Sequence, residues 1–235
     1  MGFFLEKSII IEFNGLPATG KTTIANALVS LLEEDGIQCT GHYLKHKWQK
    51  NGRTVFLSPK LFRLLFLLKR FADSIKPRSY RFTHIMGEIY HYRSYRDFLH
   101  DYKDKRVFIV DQGLIQSIIS IAHTDKILDE GSLKKVVSYY SANNIEFICV
   151  NCKVDPNLSF ERIRNRPDNT ARMHQIPREQ LLHAMRMQAD NFDMVRRCFA
   201  DRLNLEVVNL DTELDPSENA RIIYNSIKDS GFIKQ

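Results

Sequence analysis

The sequence lacks any hydrophobic run long enough to cross a bilayer. Hydrophobic residues make up 43% of its 235 residues, yet the most apolar stretch, residues 61–68, contains Arg63 and is followed by Lys69 and Arg70. A membrane-spanning helix needs about 20 apolar residues. The N-terminus is too short and too acidic for a secretory signal, and Glu6 replaces the Ser or Thr of a myristoylation pattern. We therefore expect a cytoplasmic protein without a membrane span.

Cysteine is scarce, with 4 in the chain. Cys149 and Cys152 have the spacing of a redox or zinc motif, but no second pair follows at zinc-finger distance. They lie in an apolar run that is typical of a buried strand. We interpret the cysteines as reduced core residues rather than as disulfides or metal ligands.

Internal repeats and low-complexity linkers are also missing, and the length suits one large α/β domain covering residues 1–235. The net charge is +6. A basic chain suits an anionic partner such as a nucleotide, a phosphosugar, a nucleic acid or a membrane surface. No nucleic-acid motif accompanies the charge, so a nucleic-acid partner is disfavoured.

The most informative stretch is residues 15–22, GLPATGKT, which fits the phosphate-binding pattern G-x-x-x-x-G-K-[ST]. An apolar run predicts a strand before it, and residues 24–32 predict a helix after it. Such a loop wraps a triphosphate with backbone amides, and the helix N-terminus favours phosphate. We expect Lys21 to bind the β- and γ-phosphates and Thr22 to bind Mg²⁺. The predicted ATP site is Gly15, Pro17, Ala18, Thr19, Gly20, Lys21, Thr22 and Thr23.

A second apolar run, residues 107–110, ends in Asp111. An apolar strand that ends in Asp, downstream of a phosphate loop, is the Walker B arrangement, whose carboxylate holds Mg²⁺ directly or through water. Thr22 and Asp111 are therefore the predicted metal site. If the acceptor is a hydroxyl, Asp111 is also the nearest candidate to accept its proton.

Arginines cluster around a helix breaker late in the chain. Arg162, Arg164 and Arg166 alternate before Pro167, and Arg172 follows. Like charges so close repel one another unless an anion arrives. We predict an arginine-rich lid at residues 162–176 that closes over the triphosphate, with Arg162, Arg166 and Arg172 in catalytic roles. A solvated basic turn remains the alternative.

Two helices are predicted between the second and third strands, in a region of about 58–104. The apolar first helix indicates a buried helix or a homodimer contact. The second is crowded with Tyr, His and Arg, and we interpret it as a wall of the acceptor pocket with Tyr92, Arg93 and Arg96 as substrate-binding residues. A tyrosine-rich packing surface is the alternative. A basic loop at 45–50 either contacts substrate or is simply solvated.

Strands near residues 10, 40, 108, 148 and 208 alternate with helices. This alternation predicts an α/β fold with a doubly wound, five-stranded parallel sheet in three layers, as in P-loop NTPases.

On these motifs the chain resembles the P-loop kinases of small molecules, and most of all the thymidylate kinase branch of nucleotide kinases. Residues 15–23, GLPATGKTT, match the loop, and residues 155–175, DPNLSFERIRNRPDNTARMHQ, resemble that branch's helix-and-lid segment. The resemblance implies ATP- and Mg²⁺-dependent phosphoryl transfer to a small molecule, a nucleoside monophosphate foremost. Gln112 departs from the branch, which has Arg after the Walker B Asp.

Other functions stay open or are excluded by residue pattern. A kinase of a nucleoside, a sugar or another hydroxyl compound fits the same loop. A nucleotide-binding pseudokinase or interaction module is favoured by Gln112 and the apolar residues 61–68. A GTPase is excluded, because Gly113 stands one position too early for Asp-x-x-Gly, and residues 151–155 do not fit Asn-Lys-x-Asp.

Overall fold

The computed structural model describes residues 4–5, 7–40, 59–73, 81–101, 106–122, 128–145, 147–166, 176–203 and 205–234. The strands are β1 Phe4–Leu5, β2 Ile9–Gly15, β3 Cys39–Thr40, β4 Val107–Val110, β5 Ile148–Lys153, β6 Val207–Asp211 and β7 Ile233–Lys234. The helices are α1 Lys21–Glu34, α2 Pro59–Asp73, α3 Arg81–Asp101, α4 Leu114–Ala122, α5 Glu130–Ser141, α6 Pro156–Arg164, α7 Arg178–Leu203 and α8 Pro216–Asp229.

The apolar runs of the sequence form a five-stranded sheet in the order β3-β4-β2-β5-β6. All four strand pairs are parallel, and β2 lies in the middle, bonded to β4 on one edge and to β5 on the other. Every residue of β2 and β4 is buried, as expected for parallel strands that are covered on both faces. The predicted doubly wound parallel sheet is confirmed.

Alternate residues of β2 serve the two helical layers. Ile11 and Phe13 belong to the core formed with α1 and α8. Ile10 belongs to the larger core on the other face, which includes α2, α3, α4, α5 and α7. Glu12 and Asn14 point to this second face as well, since their side chains bond to α4 and α7. The three layers follow from the two-residue period of the strand.

Several helix ends follow the predicted signals. Asp155 and Asp215 cap α6 and α8, each with proline at the next position. Gly36 has a φ of +75° and ends α1, where Ile37 N donates to Leu32 O at 2.9 Å. Helix α5 begins at Glu130, because the Asp129 side chain accepts from Ser132 N and caps the helix there.

Pairing with neighbouring strands sets other boundaries. A short antiparallel pair of β1 and β7 joins the two ends of the chain and was not predicted. Strand β5 extends to Lys153 because β6 continues beside it to Asp211. Residues 41–44 of the predicted second strand and the basic loop at 45–50 lie outside the described residues.

Helix α2 is apolar on more than one face, as the sequence indicated. Leu61, Leu64 and Leu68 are buried in the core. Phe62 and Phe66, one turn apart, are 61% and 58% exposed. The helix is therefore buried on one face only, and Phe62 and Phe66 lie on its exposed face. None of the described helices combines the length and apolarity that a bilayer crossing needs.

The cysteines are free thiols. Cys149 lies in the core toward α7, and Cys152 lies in the core toward α1. Since the two side chains point to opposite faces of β5, they cannot pair with each other. Their interpretation as core residues is confirmed by their burial.

Two carboxyl groups, those of Glu12 and Glu88, are fully buried on the α3 side of the sheet. Burial raises the pKa of Glu12 to about 7, although Tyr95, Ile115 and Leu114 donate hydrogen bonds that lower it. Burial likewise raises the pKa of Glu88 well above its ordinary value, against the hydrogen bond from Tyr140.

The raised pKa of Glu12 makes a prediction about stability and pH. A carboxyl group with a pKa of 4.5 in the unfolded chain and about 7 in the fold stabilises the fold fully below pH 4.5 and loses this contribution as the pH rises to about 7. This shift corresponds to about 3 kcal/mol. Between pH 4.5 and 7.5, the free energy of unfolding measured in urea should therefore fall less for Glu12→Gln than for the unsubstituted protein. Identical pH dependence of the two proteins would contradict the prediction.

Candidate active site

The loop between β2 and α1 has the backbone geometry of a phosphate cradle. Gly15 has a φ of +142°, and a Cβ there would overlap the carbonyl oxygen of Cys152 on the neighbouring strand. Gly20, at the N-terminus of α1, has a φ of +80°. Ala18 also has a positive φ, of 58°, which a side chain seldom adopts. These conformations turn the loop tightly around the start of α1, so its amides and the helix N-terminus share one concavity.

Lys21 bends back over this loop. Its Nζ donates to Gly15 O at 3.1 Å, Leu16 O at 2.6 Å and Thr19 Oγ1 at 2.9 Å. Desolvation lowers the pKa of Lys21 to about 8, opposed by Cys152 and Asp111 and assisted by the positive charge of Arg166. The Lys21 ammonium group therefore lies in the electrostatic field of an acidic group, Asp111, and of a second cation, Arg166.

The two residues of the predicted metal site lie together. Thr22 Oγ1, in the first turn of α1, donates to Asp111 Oδ2 at 3.3 Å, at the end of β4. Residues 22 and 111 meet because β2 and β4 are parallel neighbours whose carboxyl ends share one edge of the sheet. A hydroxyl and a carboxylate oxygen fit Mg²⁺, which is commonly held by one carboxylate together with substrate phosphates. No group of three or more acidic, His or Cys ligands occurs among the residues that the structure describes.

Helix α6 supports the loop from behind. Ser159 is fully buried, and its Oγ donates to Pro17 O at 2.6 Å. Leu16 packs in a separate small core with Phe160 and Ile163 of α6 and with residues of α7. The loop that precedes α1 is therefore held by the helix that leads into the predicted lid.

The lid arginines have different partners. Arg162 Nη2 donates to Thr212 O at 3.1 Å, in the turn after β6. Arg164 Nη2 donates to Ile176 O at 2.7 Å, and its guanidinium lies over the Phe160 ring. Arg166 is exposed and acts electrostatically on Lys21. Of these three, Arg166 is the arginine whose positive charge contributes to lowering the pKa of Lys21. Arg172 lies outside the described residues, as do residues 167–175.

A family model described as an AAA domain matches residues 10–190. The chain belongs to this AAA domain family. The match includes the phosphate loop, Asp111 and the arginines of α6. No protein with a curated description matches the chain.

Solved structures agree with this AAA domain assignment at the level of the fold. Deoxyadenosine kinase from M. mycoides with bound dATP has a TM-score of 0.52 and 15% identity, over 94% of this chain and 99% of that one. The same enzyme with the products dCMP and a flexible dCDP has a TM-score of 0.50 and 15% identity, over 94% and 100%. The three-layer fold is confirmed, and the resemblance to P-loop kinases is confirmed at the level of the fold.

The predicted acceptor residues do not share one surface of this AAA domain. Tyr92 is fully buried, with its ring against Tyr139 and Tyr140. Arg93 and Arg96 lie on the outer side of α3, and both are paired with Asp97. The placement of Tyr92 matches the alternative interpretation, a tyrosine-rich packing surface.

Two buried residues near the loop were missed. Glu12 is a lone carboxylate in an apolar strand, and Arg196 of α7, only 7% exposed, donates to Asn14 Oδ1 at 3.1 Å and also pairs with Asp193. A charged residue in an otherwise apolar run was the available signal for Glu12, since burying an unpaired charge is costly. For Arg196 the sequence offers no comparable signal, because α7 carries many cations.

The close approach at Gly15 predicts an unequal response to alanine. Gly15→Ala should lower the free energy of unfolding by about 2 kcal/mol or more, because a positive φ and an overlap with the Cys152 carbonyl act together. Gly36→Ala is the matched control, since it has a φ of +75° but open space around its Cβ, and it should lower the free energy by roughly 1 kcal/mol. Urea unfolding measures both. A larger loss in Gly36→Ala would contradict the prediction.

Proposed function

We propose that this AAA domain protein transfers the γ-phosphoryl group of ATP to a nucleoside or nucleotide. The observation that carries the proposal is the meeting of Thr22 and Asp111 beside Lys21, at the mouth of a glycine loop. A metal-holding pair next to a phosphate-binding lysine is what phosphoryl transfer requires, since that reaction depends mostly on positioning and charge stabilisation.

In this proposal each residue has a defined task. The amides of the loop and Lys21 hold the donor phosphates, with Gly15, Gly20 and Thr23 shaping the cradle. Thr22 and Asp111 hold Mg²⁺, which supplies neutralisation of phosphate charge when bound. Arg166 stabilises charge on the transferring group, with Arg162 and Arg172 as further members of a lid at 162–176. The whole chain forms one kinase domain, and the acceptor binds in the region of about 58–104.

Two acceptors are supported by different observations. The helix-and-lid sequence resembles thymidylate kinases, which supports a nucleoside monophosphate as acceptor. Two of the similar structures are of a deoxyadenosine kinase, which supports a deoxynucleoside as acceptor. With a hydroxyl acceptor, Asp111 would accept the proton; with a phosphate acceptor, no strong general base is needed.

A screen with ATP and Mg²⁺ tests the proposal. Thymidine monophosphate, deoxyadenosine and other nucleotides and nucleosides are each offered, and the phosphorylated product is measured together with ADP. We expect product with at least one member of these classes. Lys21→Ala is the control and should reduce transfer to the rate without protein while the protein stays folded.

Nucleotide binding without transfer to any acceptor would favour the pseudokinase. Hydrolysis of ATP stimulated by DNA or RNA would favour a nucleic-acid-dependent ATPase, with binding that weakens steeply as salt increases. Near-normal transfer by Lys21→Ala would refute the proposed mechanism.

Arg166 has a separate prediction. Arg166→Ala should lower kcat by roughly 10³-fold, as for arginines that stabilise the transition state in other P-loop enzymes, while ATP affinity changes much less. The control is Arg178→Ala, whose exposed side chain lies 3.9 Å from Glu161 and should contribute little to either. Steady-state kinetics and ATP titration separate the two effects. Equal losses in kcat and in ATP affinity would reduce Arg166 to a binding role.

A further inference from the structure

Glu12 lies beneath the turn that carries Asp111. Its Cα is the register partner of Val110, the residue directly before Asp111. Its side chain reaches the other end of the same turn, where Oε2 accepts from Leu114 N at 2.9 Å and Oε1 accepts from Ile115 N at 2.7 Å. One residue of the central strand thus pairs in register with the residue before the turn formed by residues 111–113, and its carboxylate accepts from the two amides that follow the turn.

The turn is built around this carboxylate. A Cβ at Gly113 would stand 2.5 Å from Glu12 Oε2 and would overlap Tyr95 Oη, so only glycine leaves room. Tyr95 is fully buried and donates from Oη to Glu12 Oε2 at 2.9 Å. Three donors from two elements therefore converge on a carboxylate that lies in the strand leading to the phosphate loop.

We propose that Glu12 is a positioning residue that orients Asp111 toward Thr22 and the Mg²⁺ of the nucleotide. The proposal rests on the proposed function for the identity of the metal. The reason is geometric: the strand pairing holds the turn at Val110, and the Glu12 carboxylate holds it at the first amides of α4. With both ends held, the Asp111 carboxylate keeps its direction toward Thr22 Oγ1.

The chain offers a matched control in Glu88. Among the described residues it is the other fully buried carboxylate on this face of the sheet, and its Oε1 accepts a hydrogen bond from Tyr140. Glu12→Gln and Glu88→Gln each remove a buried carboxylate. In Glu12→Gln an amide N–H₂ replaces one acceptor and faces a backbone N–H of α4 or the Tyr95 hydroxyl.

The test measures ATP binding by calorimetry in EDTA and at increasing Mg²⁺ concentrations, and then the Mg²⁺ dependence of transfer. In EDTA, the ATP affinity of Glu12→Gln should lie within about 3-fold of that of the unsubstituted protein. The variant should need a roughly 10-fold higher Mg²⁺ concentration to reach half of the increase in ATP affinity that Mg²⁺ causes. Glu88→Gln should leave the Mg²⁺ requirement unchanged. Equal requirements in the two variants, or Mg²⁺-independent binding in the unsubstituted protein, would overturn the inference.

A second pair of variants decides the matter if Glu12→Gln does not fold. Tyr95→Phe removes one donor to Glu12, and Tyr140→Phe removes one donor to Glu88. Tyr95→Phe should raise the Mg²⁺ requirement and Tyr140→Phe should not; no difference between them would refute the role of Glu12. Because ATP binding needs no acceptor, failure to phosphorylate any acceptor would refute the proposed function and leave the comparison of Glu12 with Glu88 intact.

Discussion

Strand β2 has a hydrogen-bonded neighbour on each of its two edges, and the rest of the structure depends on this constraint. The strand is hydrogen-bonded to β4 on one side and to β5 on the other, so its direction and register are fixed along its length. The loop at its end therefore starts from a fixed point, against the carbonyl of Cys152. Parallel neighbours bring their carboxyl ends to the same edge, and Asp111 meets Thr22 there.

The arginines of the predicted lid are close in sequence, but helix geometry separates their side chains. Alternating cations in a sequence suggest mutual repulsion, but residues two apart on a helix do not face each other. Arg162 binds the carbonyl of Thr212, and Arg164 binds the carbonyl of Ile176, so each has its own acceptor. Since Ser159 and Phe160 of the same helix hold the phosphate loop, α6 links this loop to the turn after β6.

Much of the fold and part of the site could be predicted because the signals are local. The loop pattern, the strand that ends in Asp111 and the capping aspartates at 155 and 215 each depend on residues close in sequence. The environments of Tyr92 and Arg93 could not be predicted in this way, because composition does not tell which side of α3 faces the core. Tyr92 therefore lies against Tyr139 and Tyr140, while Arg93 lies outside beside Asp97.

The sequence by itself determined the phosphate loop, the positions of the strands along the chain and the class of fold. Each of these depends on backbone conformation and hydrophobic periodicity, which a few neighbouring residues encode. Only the tertiary structure showed that Glu12 meets the start of α4 and that Arg196 meets Asn14. These pairs are separated by many residues along the chain. Their meeting depends on the register of neighbouring strands and on the packing of helices over them, which no short stretch of sequence specifies.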